Sequence, residues 1–167
     1  ELALGKIASL SVIGVLSGLS SFIGTMLSLP KLMGEMGESG FSNVYQPTEY
    51  VLLFLVIVTA ALLMVGSIAI ISAFCKTVKE ASTAVMPFMI VVMVLSFTTM
   101  MGSGAQKAVY WYLIPLYNNV QCLAGIFSKD YSLTNIVVTV IVNVVYSGIL
   151  VGVLTKIFDS EKIMYTK

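Results

Sequence analysis

The sequence contains four apolar runs, each long enough to cross the hydrocarbon core of a bilayer as a helix. They cover residues 7–29, 51–74, 84–101 and 136–158. One crossing needs about 20 helical residues. The last run is rich in Val and Ile, but an unpaired strand in lipid would leave its backbone groups without hydrogen bonds, so this run also predicts a helix. We therefore expect an all-α fold, a polytopic membrane helical bundle of about four transmembrane helices that forms one transmembrane domain over residues 1–167.

The charge content agrees with a chain surrounded mostly by lipid. Of the 167 residues, 58% are hydrophobic and only 10% are charged, whereas a soluble globular chain carries roughly 25% charged residues. The formal net charge of +1 gives no basic field for nucleic acid. Membrane lipid is therefore an expected partner, and nucleic acid is not.

The residue types exclude most kinds of chemistry. All nine cations are lysines, and the chain has neither Arg nor His, which removes bidentate phosphate clamps and the usual metal ligand. It has no phosphate-binding G-x-x-x-x-G-K-[ST] loop and no Ser-His-Asp set. We expect no catalytic, metal or cofactor-binding residues. No Asp, Glu or Lys lies at the middle of a predicted span, which argues against a proton-coupled carrier.

The segment 110–127 has two interpretations, a fifth span or a re-entrant hairpin. It is apolar but contains Pro115 near its centre, with Asn118 and Asn119 after it. If the N-terminus is cytoplasmic, a hairpin leaves three lysines outside and six inside, namely Lys6, Lys76, Lys79, Lys156, Lys162 and Lys167. A fifth span leaves only four inside. Because cytoplasmic segments carry an excess of lysine, the count favours a re-entrant external hairpin, with both termini cytoplasmic.

Several polar residues are candidates for a pathway or gate. Re-entrant backbone is tolerated only where protein or a water-filled cavity covers it, so Pro115, Asn118 and Asn119 are expected beside such a route. Asn143 is the most polar residue in the middle of a span. Its side chain is predicted either to face the route or to form a hydrogen bond between two helices.

Small residues predict close helix contacts. Gly14 and Gly18 form a G-x-x-x-G pattern in the first span, and Gly148 and Gly152 repeat it in the last. Such residues let two backbones approach closely, and packing holds helices together in lipid. These four glycines are predicted to pack helices within the bundle or in a dimer. A transport surface on the Ser-rich first span is the alternative.

The order of features resembles the membrane subunit of ATP-binding-cassette (ABC) exporters of the type-2 permease family, especially the sodium-exporter-like branch. The resemblance rests on Gly5-Lys6-Ile7, on ISAFCKTVKEASTAVMPFMIVVM (71–93), on IPLYNNVQCLAGIF (114–127) and on the final IFDSEKIMYTK. It covers nearly the whole chain. Members of the family have six spans, so this chain resembles their C-terminal portion, with the main coupling segment expected before Gly5.

The resemblance implies a permease subunit of an ATP-driven exporter in the plasma membrane, moving an ion, drug, peptide or lipid out of the cell. It further implies two partners, a second permease copy and a cytoplasmic ABC ATPase subunit that hydrolyses the ATP. The short polar loop at 75–83 is the candidate ATPase contact through Lys76, Lys79 and Glu80. The alternatives are a non-transporting membrane scaffold or assembly subunit, and a fragment of an ion-coupled carrier.

Overall fold

The computed structural model describes residues 2–34, 46–101 and 105–164. Those residues form five α-helices and one short 3₁₀ helix, with no strand among them. The elements are α1 (Leu2–Gly34), α2 (Pro47–Ala73), α3 (Val78–Met101), the 3₁₀ helix (Val109–Leu113), α4 (Tyr117–Ser128) and α5 (Leu133–Met164). Four of them, α1, α2, α3 and α5, are long and apolar enough to cross a membrane. The predicted all-α membrane bundle is confirmed.

The helices extend beyond the predicted spans because a helix satisfies its backbone hydrogen bonds internally and does not need apolar side chains to continue. α5 begins three residues before the predicted span and continues to Met164. α2 begins at Pro47, where Gln46 and Glu49 form a capping box. Of the stretch between the first two spans, residues 35–45 lie outside the described residues.

α1 packs antiparallel against α2 through its glycines. A Cβ atom added at Gly14 would lie 3.1 Å from Leu62 Cδ2, and one added at Gly18 would lie 3.0 Å from Val58 Cα. Both glycines are buried. The two helix axes approach this closely because neither glycine carries a side chain.

α5 packs parallel to α2 on another face. The Asn143 side chain donates a hydrogen bond to Thr59 Oγ1 at 3.3 Å, and a Cβ at Gly66 would lie 3.3 Å from Leu150 Cδ1. Thr59 and Asn143 are as far apart in the sequence as Gly66 and Leu150, so the two helices keep the same register over two turns. α3 lies at the periphery, and Thr99 is the one buried residue among its described side chains.

This topology gives the bundle two distinct ends. One end, here called the lysine-rich end, contains the start of α1, the turn at 74–77 between α2 and α3, and the end of α5. The opposite end, here called the hairpin end, contains residues 105–132. The apolar core also lies toward the hairpin end, with Leu53, Val56, Tyr112, Cys122, Ile126 and Ile136.

The second glycine pair faces outward. A Cβ at Gly148 or Gly152 would meet no atom within 4 Å, and both residues are exposed. Among the described residues, no other element comes within contact distance of these two positions, so the glycines pack no helices there. Contact with a second copy at this face stays a prediction.

Replacing Gly18 with Leu should destabilise the bundle. The new side chain would have to displace the α2 backbone at Val58, and overpacking of this kind costs about 1–3 kcal/mol. The free energy of unfolding in detergent micelles measures the loss. Gly24→Leu is the matched control. Gly24 lies on the same helix, and a Cβ there would meet no atom within 4 Å. Equal stability of the two variants would contradict the contact.

Thiol labelling should distinguish the two ends. Cys75 lies in the turn at the lysine-rich end and is partly exposed, whereas Cys122 is buried. A membrane-impermeant maleimide should label Cys75 from the cytoplasmic side only, and it should not label Cys122 from that side. Lys107→Cys, at the exposed start of the hairpin segment, should be labelled from the external side. Labelling of Cys75 and of Lys107→Cys from the same side would contradict the topology.

Candidate functional site

The segment between α3 and α5 enters and leaves the bundle at the same end. Lys107 near its start and Asp130 near its finish form an ion pair, with Nζ 3.3 Å from Oδ2. α4 has 12 residues, which gives a length of about 18 Å against a hydrocarbon core of about 30 Å. The segment is a helical hairpin, formed by the 3₁₀ helix, a turn at 114–116 and α4, and α4 is too short to cross.

The hairpin reaches about halfway along α5. Asn118 at the start of α4 contacts Asn143, while Cys122, one turn later, contacts Thr139, so α4 runs antiparallel to α5. Asn143 lies about 15 Å along α5 from its start, at a rise of 1.5 Å per residue. The start of α4 is therefore near the midplane.

The backbone of the turn is strained. It contains Pro115, and the next residue, Leu116, has φ 71° and ψ −51°. This conformation is close to the strained γ-turn with positive φ, which is rare for residues other than glycine. It persists where the surrounding structure fixes the chain on both sides.

Asn143 joins three helices through its side chain. Its Oδ1 accepts a hydrogen bond from Asn118 Nδ2 at 3.1 Å. Its Nδ2 donates to Asn119 Oδ1 at 2.6 Å and to Thr59 Oγ1 at 3.3 Å. Asn118 and Asn143 are fully buried, and Asn119 and Thr59 nearly so. We call these four residues the amide cluster. The structure thus brings together three of the residues that the sequence singled out, and Pro115 lies in the adjoining turn.

One acceptor in the amide cluster has no hydrogen-bond partner. It is Asn118 Oδ1, and the described side chains contain one other buried polar atom of this kind, Ser147 Oγ, one turn beyond Asn143 on α5. A buried unsatisfied polar atom costs about 1–3 kcal/mol. The amide cluster therefore combines a connected set of bonds with an acceptor that is still able to bind a donor.

A second polar layer fixes the hairpin to α3. Gln121 Nε2 donates to Thr99 Oγ1 at 2.9 Å, and Gln121 Oε1 accepts from the Gln106 amide at 2.8 Å. The Tyr112 hydroxyl donates to the Gln106 carbonyl at 2.7 Å. Sequence reasoning did not single out Gln121 or Thr99. The available signal was that a glutamine in a buried apolar segment requires a partner.

A buried acid lies at the hairpin end. Glu49 Oε2 accepts from the Gln46 amide at 2.9 Å, and Oε1 accepts from the Tyr131 hydroxyl at 3.3 Å. Desolvation and the adjacent Glu49 carboxylate raise the pKa of Tyr131, so its hydroxyl keeps the proton that it donates. This contact ties the start of α2 to the residues just before α5.

The candidate ATPase-contact loop lies in the other half of the molecule, away from the amide cluster. Lys76, Lys79 and Glu80 are exposed. Glu80 also has a structural role, since its Oε2 accepts from the Lys76 amide at 3.0 Å and its own amide donates to Thr77 Oγ1 at 3.2 Å. The T-x-x-E spacing is the sequence signature of a helix cap, a signal that sequence reasoning missed.

Comparison of the chain with family models, curated proteins and solved structures found no match. Within the described residues, no group of three or more His, Cys, Asp or Glu side chains is placed to hold a metal ion. The chemistry that the arrangement offers is neutral hydrogen bonding by amides and hydroxyls at the depth of the hairpin turn.

Asn143→Leu should destabilise the bundle by about 2 kcal/mol, because it removes three hydrogen bonds worth roughly 0.6 kcal/mol each in membrane proteins. Unfolding in detergent micelles measures the change. Val144→Leu is the control, since Val144 is the next residue on α5 and is exposed. A loss that is no larger for Asn143→Leu than for the control would show that the cluster contributes nothing to stability.

Proposed function

We propose that this chain is the permease subunit of an ATP-driven ABC exporter of the type-2 family, acting in the plasma membrane with a second permease copy and a cytoplasmic ATPase. The observation that carries the proposal is the hairpin, whose backbone breaks beside a neutral polar cluster deep in the bundle. Non-helical backbone at membrane depth occurs where it is buried in protein or lines a water-filled cavity, and transporters bind substrates at broken helices near the midplane.

The amide cluster has the chemistry of a gate. Its members, Asn118, Asn119, Asn143 and Thr59, bear no net charge, so they interact with a polar or charged substrate through dipoles alone. Hydrogen bonds of this type in membranes are individually weak, about 0.6 kcal/mol on average. They exchange partners at small cost, and Asn118 Oδ1 is already free to accept one.

A mechanical route connects the lysine-rich end to this gate. The turn at 74–77 joins α2 and α3, and the cap made by Thr77 and Glu80 holds the start of α3 in a fixed geometry. α2 is a continuous helix from the turn to Thr59 and beyond. A partner that displaces the turn therefore moves α2 as a unit, and with it one member of the amide cluster.

The second candidate function is a non-transporting scaffold. It is favoured by the side chain of Asn143, whose nitrogen and oxygen both have partners inside the chain, as in a network that only holds helices together. An exporter subunit and a scaffold differ in their response to changes at the lysine-rich turn.

The double variant Lys76→Gln and Lys79→Gln should lower ATPase stimulation in the full-length protein reconstituted with its ATPase. The expected loss is about fivefold, since two exposed charge pairs are together worth about 1 kcal/mol. The Glu80 cap is left intact, so insertion and stability should not change. Salt screens exposed charges, so the difference from wild type should narrow as the salt concentration rises.

Lys107→Gln provides the matched control for this experiment, because Lys107 is an exposed lysine at the hairpin end with an ion pair of its own. It should leave ATPase stimulation unchanged. Full stimulation and full transport in the double variant would remove the turn from the partner interface. Absence of any transport by the wild-type complex would favour the scaffold.

A further inference from the structure

α3 lies against the bundle along one narrow stripe. Its half-buried residues are Ala81, Val85, Phe88, Val92, Leu95 and Ser96. They recur at the spacing of helical turns, so they share one face of the helix. None of them is buried, and α3 contains no glycine that would let its backbone approach α2 closely. Apolar side chains gain no hydrophobic driving force from one another in lipid, so this stripe holds α3 only weakly.

The end of α3 is fastened to the hairpin by a buried glutamine. Gln121 Nε2 donates to Thr99 Oγ1 at 2.9 Å, and Gln121 Oε1 accepts from the Gln106 amide at 2.8 Å. Thr99 is the one buried residue among the described side chains of α3, and Gln121 is 1% exposed. Among those side chains, the bond between Gln121 and Thr99 is the one side-chain hydrogen bond that joins α3 to another helix. Because little else holds α3, this bond decides which element α3 follows.

The side of the hairpin that faces α5 is held less well. The acceptor Asn118 Oδ1 has no partner, and Leu116 has φ 71°. Both features lie at the inner end of α4, where that helix begins. Cys122 Sγ, one turn further along, lies against α5 and donates a hydrogen bond to Thr139 Oγ1 at 3.1 Å. Displacement of the inner end of α4 from α5 therefore relieves both unfavourable features, whereas displacement from α3 breaks only satisfied bonds.

The outer end of α4 is fixed to α5. The connection between the two helices spans residues 129–132, and it begins with Lys129 in the left-handed conformation, φ 57°. The Asp130 amide donates to the Gly125 carbonyl at 3.1 Å, which holds the connection against the last turn of α4. α4 is therefore attached to α5 at one end, and its inner end, about 18 Å away, has the larger range of movement.

We propose that Gln121 makes the hairpin and α3 a single moving unit, which separates from α5 at the inner end of α4. In this movement the bonds from Gln121 to Thr99 and Gln106 stay intact, while the bonds from Asn118 and Asn119 to Asn143 break or exchange. Gln121 is thus a positioning residue, because it makes the hairpin follow α3.

α3 connects this unit to the lysine-rich end. It is one helix over Val78–Met101, and Pro87 removes a hydrogen bond without ending it. Glu80 and Thr99 lie about 28 Å apart along the axis at the helical rise. The cap at Glu80 fixes the start of α3 relative to the turn at 74–77, so it restrains the hairpin as well. The inference rests on the proposed function in one respect only, that a partner acts on this turn.

The rate at which N-ethylmaleimide labels Cys122 measures the opening between α4 and α5, because this thiol is buried at their contact. The full-length protein carries Cys75→Ser and is measured in nanodiscs without an ATPase. Glu80→Ala removes the acceptor that caps the start of α3 and should raise the rate about fivefold, the effect of losing one helix cap. In Thr99→Val, which keeps the side-chain shape but lacks the hydroxyl, Glu80→Ala should leave the rate unchanged. The quantity compared is the ratio of the rates with and without Glu80→Ala, so a general loosening of the bundle by Thr99→Val does not affect it.

Thr98→Val is the matched control, because Thr98 is exposed and its hydroxyl donates to the Leu95 carbonyl of its own helix at 2.8 Å. Glu80→Ala should retain its full effect in Thr98→Val, and also in Thr99→Ser, which keeps a hydroxyl for Gln121. An equal effect of Glu80→Ala in Thr99→Val and with Thr99 unchanged would overturn the proposal. So would no effect with Thr99 unchanged, or loss of the effect in Thr98→Val. Because no ATPase takes part, an absence of export would not change the labelling result, and the two proposals fail separately.

Discussion

Hydrocarbon offers no hydrogen-bond partner to a peptide group, and the fold of this chain follows from that constraint. Four helices satisfy it internally, but the hairpin cannot, because its turn at 114–116 interrupts the helical bonds. The hairpin must therefore be covered by protein. α2, α3 and α5 cover α4, around which the buried apolar residues and the buried polar side chains gather, whereas Leu113 and Ile114 before the turn stay exposed in the single chain. The position of the core is a consequence of where the backbone is broken.

Two different kinds of interaction hold the bundle together. Around the hairpin, side-chain hydrogen bonds from Asn143 and Gln121 connect four helices. Between α1 and α2, the close approach of the two backbones at Gly14 and Gly18 takes the place of such hydrogen bonds. Toward the lysine-rich end, residues of α1, α2 and α5 line two cavities between the helices. A bundle in lipid gains little from closing such cavities, because apolar side chains are no better solvated by one another than by lipid tails.

The sequence predicted the number of spans from the length of the apolar runs, and it predicted the hairpin from Pro115 together with the distribution of the lysines. It also singled out Asn118 and Asn119 as polar residues of a re-entrant segment, and Asn143 as the most polar residue in the middle of a span. It did not identify Thr99 as the partner of Gln121, because a hydroxyl near a helix end has no distinctive local signal. Nor did it distinguish Gly14 from Gly148, since the same spacing occurs on packed and open faces. Tertiary contacts decide which residue pairs with Gln121 and which of the glycines is packed.

The neutrality of the amide cluster has a physical consequence for how the hairpin can move. A buried charge at this depth would require a fixed counter-charge, and breaking such a pair costs 3–5 kcal/mol. Amide and hydroxyl bonds in a membrane cost far less to exchange. The hairpin also contains two unfavourable features within three residues, the positive φ of Leu116 and the unpaired Oδ1 of Asn118. Both are relieved if the turn leaves its present position, so they lower the free energy needed to displace it. The helices around the hairpin have no comparable strain, because positive φ among the non-glycine residues of the described chain is confined to the two ends of α4. The strained backbone and the unpaired acceptor thus lie in the same element, the hairpin, and that element gains the most from moving.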